Sequence, residues 1–325
     1  MPATKVLYLS HADVAAIDLA MVEIIDAVEF ALVEKAHGRT DLPPKHWIPT
    51  SNRRFFSAMT SSVPASGSVV CKWQSGSTDN AALGLPYLTG LLMLNDIETG
   101  LIVAVMDSTW ITSKRTAAAS AVAVRHLANP GTEVLGIIGC GLQGRMHVEA
   151  MLVVCPELQT VRAYDIVPEV LSKYALEIHQ TYGLDVVACS DAREVAAGAQ
   201  VVVTGGIIEP DTERVMEPGW LERGALGIAI DYDCYWKPSA MQTVDGFFTD
   251  DVGQMEHLKE YGYFVEAPAA TAELGAVAAG LNNGRGSSDE ILLAMNMGVA
   301  VEDVVMARRV YGQAREADAG IWLDL

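Results

Sequence analysis

VLGIIGCGLQG, residues 134–144, followed at once by RMHVEAMLVV, residues 145–154, decides the fold of this 325-residue chain. A hydrophobic strand runs into a GxGxxG turn at Gly139, Gly141 and Gly144, and the turn opens a helix. The first glycine permits a tight turn, the second lets a pyrophosphate approach the backbone, and the third lets helix and strand pack closely. Free N–H groups at the helix start then bind the anion. About 20 residues further on, VRAYD ends the next strand with Asp165, where a carboxylate can accept both ribose hydroxyls and repel a 2′-phosphate. Strand, turn, helix and acid together predict a dinucleotide site that prefers NAD(H) to NADP(H).

Working outward, apolar strands at residues 134–138, 160–163, 186–188, 201–204 and 226–230 follow one another, with helical stretches between the earlier ones. This βαβ rhythm implies a doubly wound parallel sheet. Upstream, residues 114–127 are Ala-rich without Gly or Pro and predict a helix, stopped by Asn129-Pro130-Gly131. Residues 69–106 alternate short apolar runs with Gly84, Pro86, Gly90 and Gly100, as in an antiparallel meander, with LNDIETG (residues 94–100) as a hairpin turn. Residues 19–36 carry Met21, Ile24, Ile25, Val28 and Leu32 at helical spacing, after a strand-like LYL at residues 7–9. Residues 298–317 read as a long amphipathic helix returning to the first domain. The expected organisation is α/β: a Rossmann domain, residues 127–298, inserted into an α+β substrate-binding and dimerisation domain, residues 1–126 with 299–325.

Composition excludes several classes. Half the residues are apolar, but no run approaches the roughly 18 that a spanning helix needs, so no membrane role is expected. The opening residues lack the features of a secretory signal, and a cytoplasmic location is expected. Five scattered cysteines, never spaced as CxxC, suggest neither a disulfide framework nor a metal site. A formal charge of −19 argues against nucleic acid.

Three stretches, AVMDSTWITSKRTAAASAVAVRHLA (residues 104–128), the GCGLQG turn and MGVAVEDVVMARRVY (residues 297–311), resemble the ornithine cyclodeaminase and mu-crystallin family. With the segments around Lys72 and Asp233, the resemblance spans nearly the whole chain. It implies a homodimer acting on a small amino or imino acid. By position, Lys72 in CKWQSG matches the family lysine that holds the substrate carboxylate and assists proton transfer. It sits in the apolar run VVCKW, where an unpaired charge would be costly. Arg115 matches the arginine lying between substrate carboxylate and cofactor, a task that suits a planar guanidinium fork. Asp233, in AIDYDCYWKPSAM, matches the catalytic aspartate, with Asp231 a neighbouring candidate, and Lys237 matches a following lysine. Thr204, Asn296 and Met297 would complete the nicotinamide pocket. Leu142 and Gln143 would touch the cofactor through backbone groups, and Tyr87 stands where relatives offer a small hydroxyl. His147, in the first Rossmann helix, reads as packing.

Cyclodeaminases carry an acid two positions before the methionine that matches Met59, and some alanine dehydrogenases an arginine near it. Phe55-Phe56-Ser57-Ala58-Met59 offers neither. Between Asp41 and Asp79 there is no acidic residue, while Lys45, His46, Arg53, Arg54 and Lys72 fall inside. With Lys45 in the substrate site, such a stretch would favour a dianion over a cationic diamine. The expected activity is therefore NAD(H)-dependent reduction of a small α-imino acid, iminosuccinate to aspartate or an alanine dehydrogenase-like reaction. The alternative is an ornithine-type cyclodeaminase that uses NAD⁺ catalytically and releases ammonia. A non-catalytic, crystallin-like binding protein is a third reading, opposed by the retention of Lys72 and Asp233.

Overall fold

The computed structural model describes residues 4–50, 54–209 and 211–325; Arg53 lies outside them. In chain order the strands are β1 (Lys5–Leu9), β2 (His46–Thr50), β3 (Arg54–Val63), β4 (Ser68–Ser77), β5 (Leu88–Asp96), β6 (Ile102–Asp107), β7 (Val134–Ile138), β8 (Thr160–Tyr164), β9 (Asp185–Ala188), β10 (Val201–Thr204), β11 (Leu226–Ala229), β12 (Gly246–Thr249), β13 (Ala272–Glu273), β14 (Leu292–Met295) and β15 (Ile321–Asp324). They form two sheets, in two compact units: Met1–Arg115 with Val299–Leu325, and Thr116–Gly298.

The first unit holds a seven-stranded sheet in the order β15-β1-β6-β5-β4-β3-β2. From β2 to β6 every neighbouring pair is antiparallel, and only β1 with β6 is parallel. The expected hairpin between β5 and β6 is present. Asp96 Oδ1 accepts from the Thr99 N–H at 2.9 Å and its hydroxyl at 2.7 Å, and Gly100 takes a left-handed φ of 71°. Along β4 the side chains alternate: Val70, Lys72 and Gln74 are buried, while Cys71 and Trp73 reach the other face. The helices Met21–Ala36 and Ala300–Glu316 pack on one another, and the latter lies on β3, β4 and β5. Ser/Thr-rich β3 has no continuous apolar pattern, yet it pairs with β4 over ten positions because Met59, Ser61 and Val63 share its buried face.

The second unit holds an eight-stranded, wholly parallel sheet in the order β13-β12-β14-β11-β10-β7-β8-β9. The order runs outward in both directions from the β7/β10 pair, which is the topological switch point where such sheets bind ligands beyond the carboxyl ends of their strands. The predicted helix at residues 114–127 starts earlier, as Thr109–Leu127, because Asp107 Oδ1 accepts from the Thr109 and Trp110 N–H groups, both at 3.1 Å, and caps it. This helix carries the chain from one unit to the other, and most of it is core to the second, with Ala117 to Val124 buried. His147, fully buried, bridges it to the first Rossmann helix: Nδ1 pairs with the Gln143 carbonyl at 2.7 Å and Nε2 with the Ser120 hydroxyl at 2.9 Å. Burial pushes its pKa down to about 4, so it packs as a neutral ring, in line with the sequence reading. Among the described residues no helix is long and apolar enough to cross a membrane, and no cluster of His, Cys, Asp or Glu could hold a metal.

Candidate functional site

The glycine turn shows why each glycine is there. Gly139 has φ 101°, and a Cβ on it would lie 2.6 Å from the Gly205 carbonyl oxygen at the end of β10. A Cβ on Gly144 would meet the Gly139 oxygen at 2.6 Å, whereas one on Gly141 would point into open space. Two glycines are thus required by packing, and the middle one leaves its backbone clear for a ligand, as a pyrophosphate needs. Leu142, the first helical residue, is more than half exposed. Gln143 follows, its buried Oε1 without a hydrogen-bond partner among the described residues.

Asp165 ends β8 beside this turn, fixed by two backbone donors: Oδ2 accepts from the Cys140 N–H and Oδ1 from the Val167 N–H, each at 2.9 Å. A carboxylate so held keeps lone pairs for ribose hydroxyls. At the carboxyl end of β14, Asn296 is buried and neither amide atom has a hydrogen-bond partner among the described residues. An unsatisfied buried amide costs about 1–3 kcal/mol, and a ligand carboxamide, one acceptor and one donor group, would satisfy both ends. Met297 is buried next to it.

Thr204, Asp231 and Trp236 form a closed network. The Thr204 hydroxyl donates to Asp231 Oδ1 at 2.8 Å and accepts from Trp236 Nε1 at 3.0 Å, while Asp231 Oδ2 accepts from the Gly206 N–H at 3.0 Å. Both Asp231 oxygens are therefore engaged in tying the ends of β10 and β11. Asp233 differs. Its Oδ2 accepts from Arg214 Nη2 at 2.7 Å, and Arg214 Nε also donates to the Asp233 carbonyl at 3.1 Å, but its buried Oδ1 has no hydrogen-bond partner among the described residues. Of the two aspartates, Asp233 has the oxygen left over for a substrate or water. Lys237, by contrast, is part-exposed and ion-paired with Glu217, a partner that lies far enough away in sequence to escape a motif reading.

Burial raises the pKa of Asp231 to about 7, aided by Asp233 and opposed by its two donors. The sign follows from proton binding. Between about pH 4 and 7 the folded chain holds a proton that the unfolded chain has lost, so stability falls as pH rises through this window. Asp231→Asn removes the ionisation and keeps the shape. Its melting temperature relative to the parent is expected to climb between pH 5 and 8, a difference on the order of 3 kcal/mol for the roughly two pKa units between pH 5 and about 7, at about 1.4 kcal/mol each. Parallel melting curves would contradict this assignment.

In the first unit the structure joins Lys72 and Arg115 to two acids that the sequence reading missed. Lys72 Nζ lies 2.7 Å from Asp303 Oδ2 and donates to the Thr112 hydroxyl at 3.4 Å. Arg115 Nη1 donates to Glu302 Oε2 at 3.1 Å, with Nε 3.5 Å from Asp303 Oδ1. All four are buried, Lys72, Glu302 and Asp303 completely, and Lys45 is buried near enough to disfavour the charge on Lys72. Acids in the first turn of a helix ordinarily read as partners of its dipole. The available signal was their place inside AVEDVVMA, apolar on both sides. These acids also change the electrostatic reading: the acid-free stretch from residue 42 to 78 does not set the local field, because Glu302 and Asp303 come in from the other end of the chain to face Arg115 and Lys72. Lys45, Lys72 and Arg115 set against Glu302 and Asp303 leave one positive charge in excess, which weakens the case for a dianionic ligand. Tyr87 sits before β5, part-exposed, its carbonyl accepting from the Ser77 N–H at 2.9 Å.

A doubly wound parallel sheet whose first strand runs into a dinucleotide-type glycine turn defines the second unit as a Rossmann unit. The chain belongs to the ornithine cyclodeaminase/mu-crystallin family, whose model matches residues 5–318. It is 31% identical to an alanine dehydrogenase of Archaeoglobus fulgidus over 97% of both chains. In structure it is similar to the Δ1-pyrroline-2-carboxylate reductase of Thermococcus litoralis, solved with NADH and L-proline (TM-score 0.88, 28% identity, 97% and 99% of the two chains). It is similar too to an archaeal alanine dehydrogenase dimer with bound NAD (TM-score 0.88, 29% identity, 99% and 100%).

Proposed function

We propose that this chain is an NAD(H)-dependent oxidoreductase that reduces the C=N bond of a small α-imino acid to an L-amino acid. The observation that carries the reading is the buried Lys72–Arg115 pair, a costly arrangement that a substrate carboxylate would use. The relatives named above, alanine dehydrogenase by sequence and by structure and a Δ1-pyrroline-2-carboxylate reductase, support it. NAD(H) would be held by the Gly139–Gly144 turn with Leu142 and Gln143, by Asp165 at a ribose and by Asn296 at the carboxamide, and when bound it supplies or accepts the hydride.

The protein's own groups do the rest. Lys72 and Arg115 bind the carboxylate and so fix the orientation of the α-carbon. In the second unit Asp233, steadied by Arg214, has Oδ1 to spare for the reaction's proton, returned during reduction and taken up during oxidation. Thr204 shapes the pocket through Asp231 and Trp236. Because Lys72 and Arg115 are already faced by acids, a substrate with one carboxylate fits better than iminosuccinate, and the alanine-type reaction is favoured. The test follows NADH absorbance with ammonium and pyruvate, oxaloacetate or glyoxylate, and with NADPH in parallel. Consumption of NADH with pyruvate supports the reading. Faster turnover of oxaloacetate would restore the dicarboxylate, and equal use of NADPH would undo the role of Asp165.

The assembly we propose is a cytoplasmic homodimer. The five cysteines are free, four of them buried, which suits a reducing compartment. On the sheet face opposite Lys72, Trp73 is 44% and Leu91 47% exposed; they are cross-strand neighbours, and Phe56 stacks on Trp73 with ring centroids 6.0 Å apart. An apolar face of this kind marks an interaction site, and a second copy is its proposed occupant, as in the dimeric relative. Leu91→Glu is expected to halve the mass measured by light scattering; a parent protein that already runs as a monomer would refute the dimer.

A further inference from the structure

We propose that Asp303 is the positioning residue of Lys72: a built-in counter-ion that holds the ammonium charged and aimed before a substrate carboxylate arrives. The inference rests on the role of Lys72 given above and adds to it a residue at the far end of the sequence.

The geometry carries it. Lys72 projects from β4 into the face covered by the helix Ala300–Glu316, and neither its side chain nor that of Asp303 reaches solvent. A lysine buried to this degree loses its charge unless an anion compensates. The charged groups around it are few. The C-terminal helix brings Asp303, with Glu302 one residue earlier on Arg115; the helix Thr109–Leu127 brings Arg115 and the Thr112 hydroxyl; the segment before β2 brings Lys45. Arg115 and Lys45 both disfavour the lysine's charge, so among these groups the favourable one in direct reach is Asp303. Its second oxygen lies 3.5 Å from Arg115 Nε, so one carboxylate spaces both cations of the clamp.

Burial, opposed by Asp303, leaves the pKa of Lys72 at about 8. Without Asp303 it falls further, and the clamp loses its ammonium at lower pH. The experiment compares the parent with Asp303→Asn and Asp303→Glu, measuring kcat and KM for the imino acid reaction, and melting temperature, from pH 6 to 10. In the parent, kcat/KM should fall above about pH 8. In Asp303→Asn the limb should move down by at least about one pH unit, giving about a fivefold loss at pH 8 and about tenfold at pH 9 and above, carried by KM, and Asp303→Glu should restore most of it. A limb at the parental pH, whatever the activity, would overturn the proposal while leaving the function standing.

Should the parent turn over no imino acid, the functional reading fails and melting decides this one. Between about pH 8 and 10.5 the unfolded chain keeps a proton that folded Lys72 has released, so stability rises with pH. That rise should begin at lower pH in Asp303→Asn; an unchanged onset refutes the proposal. If Asp303→Asn does not fold, Lys72→Met and Lys72→Met/Asp303→Asn are compared instead. Loss of the aspartate should cost much less stability once Lys72 is gone, and an equal cost in both backgrounds would show that the two are not coupled.

Discussion

Replacing Lys72 by Met is expected to lower kcat/KM for the imino acid about a thousandfold. Truncating one member of a buried, hydrogen-bonded charge pair costs about 2–5 kcal/mol, and about 4 kcal/mol corresponds to this factor. The loss should fall chiefly on KM, since the ammonium holds the carboxylate in ground and transition states alike. Methionine fills the space beside Val70 and Gln74 on the covered face of β4, and Arg115 remains to face Asp303 at 3.5 Å. Binding of NADH, followed by fluorescence titration, should therefore be unchanged. If NADH binding is lost as well, the substitution has damaged the fold and Lys72→Arg becomes the informative variant. A variant that binds NADH and keeps parental kcat/KM would remove Lys72 from the site.

Asp233→Asn should leave KM within about threefold and lower kcat by about 10²- to 10⁴-fold, the usual contribution of a positioned acid or base. Asparagine preserves the side-chain shape and can still accept from Arg214 Nη2, now at 2.7 Å from the carboxylate, but it cannot exchange a proton. Arg214 is 30% exposed, so water can solvate the charge left without its partner. A wild-type kcat in this variant would reduce Asp233 to an anchor for Arg214. Measuring kcat under saturating substrate settles the question.

How much of this was legible in the sequence depended on how locally each feature is determined. The glycine turn, its strand and its helix are set by residues within 134–154, and β7 has the bounds that the apolar run predicts. Asp165 follows from strand spacing. The helix Ala300–Glu316 was legible from its periodicity, and the meander with its Asp96–Gly100 turn from its punctuation. Strands β12 and β14 were not read, because the identity of GFFT and LLAM as strands comes from pairing, β14 lying between β11 and β12. The partners of Lys72 and Arg115 were hidden for the same reason: Asp303 and Glu302 stand 231 and 187 residues away in sequence, and a contact at that separation has no local signature. The acid-free stretch misled because charge counted along the chain is not charge counted in space. The choice between Asp231 and Asp233 also needed coordinates, since only the hydrogen bonds show one carboxylate fully engaged and the other with an oxygen to spare.

The measurement that bears most directly on the central claim is the destination of the hydride. Purified protein is mixed with NADH deuterated at C4 on the transferred side, ammonium and pyruvate, and the amino acid formed is examined by mass spectrometry. The account predicts alanine carrying one deuterium at its α-carbon, with one NADH consumed for each molecule formed. Ornithine converted to proline with release of ammonia, no net change in NADH and no deuterated alanine from pyruvate would contradict it and make the chain a cyclodeaminase.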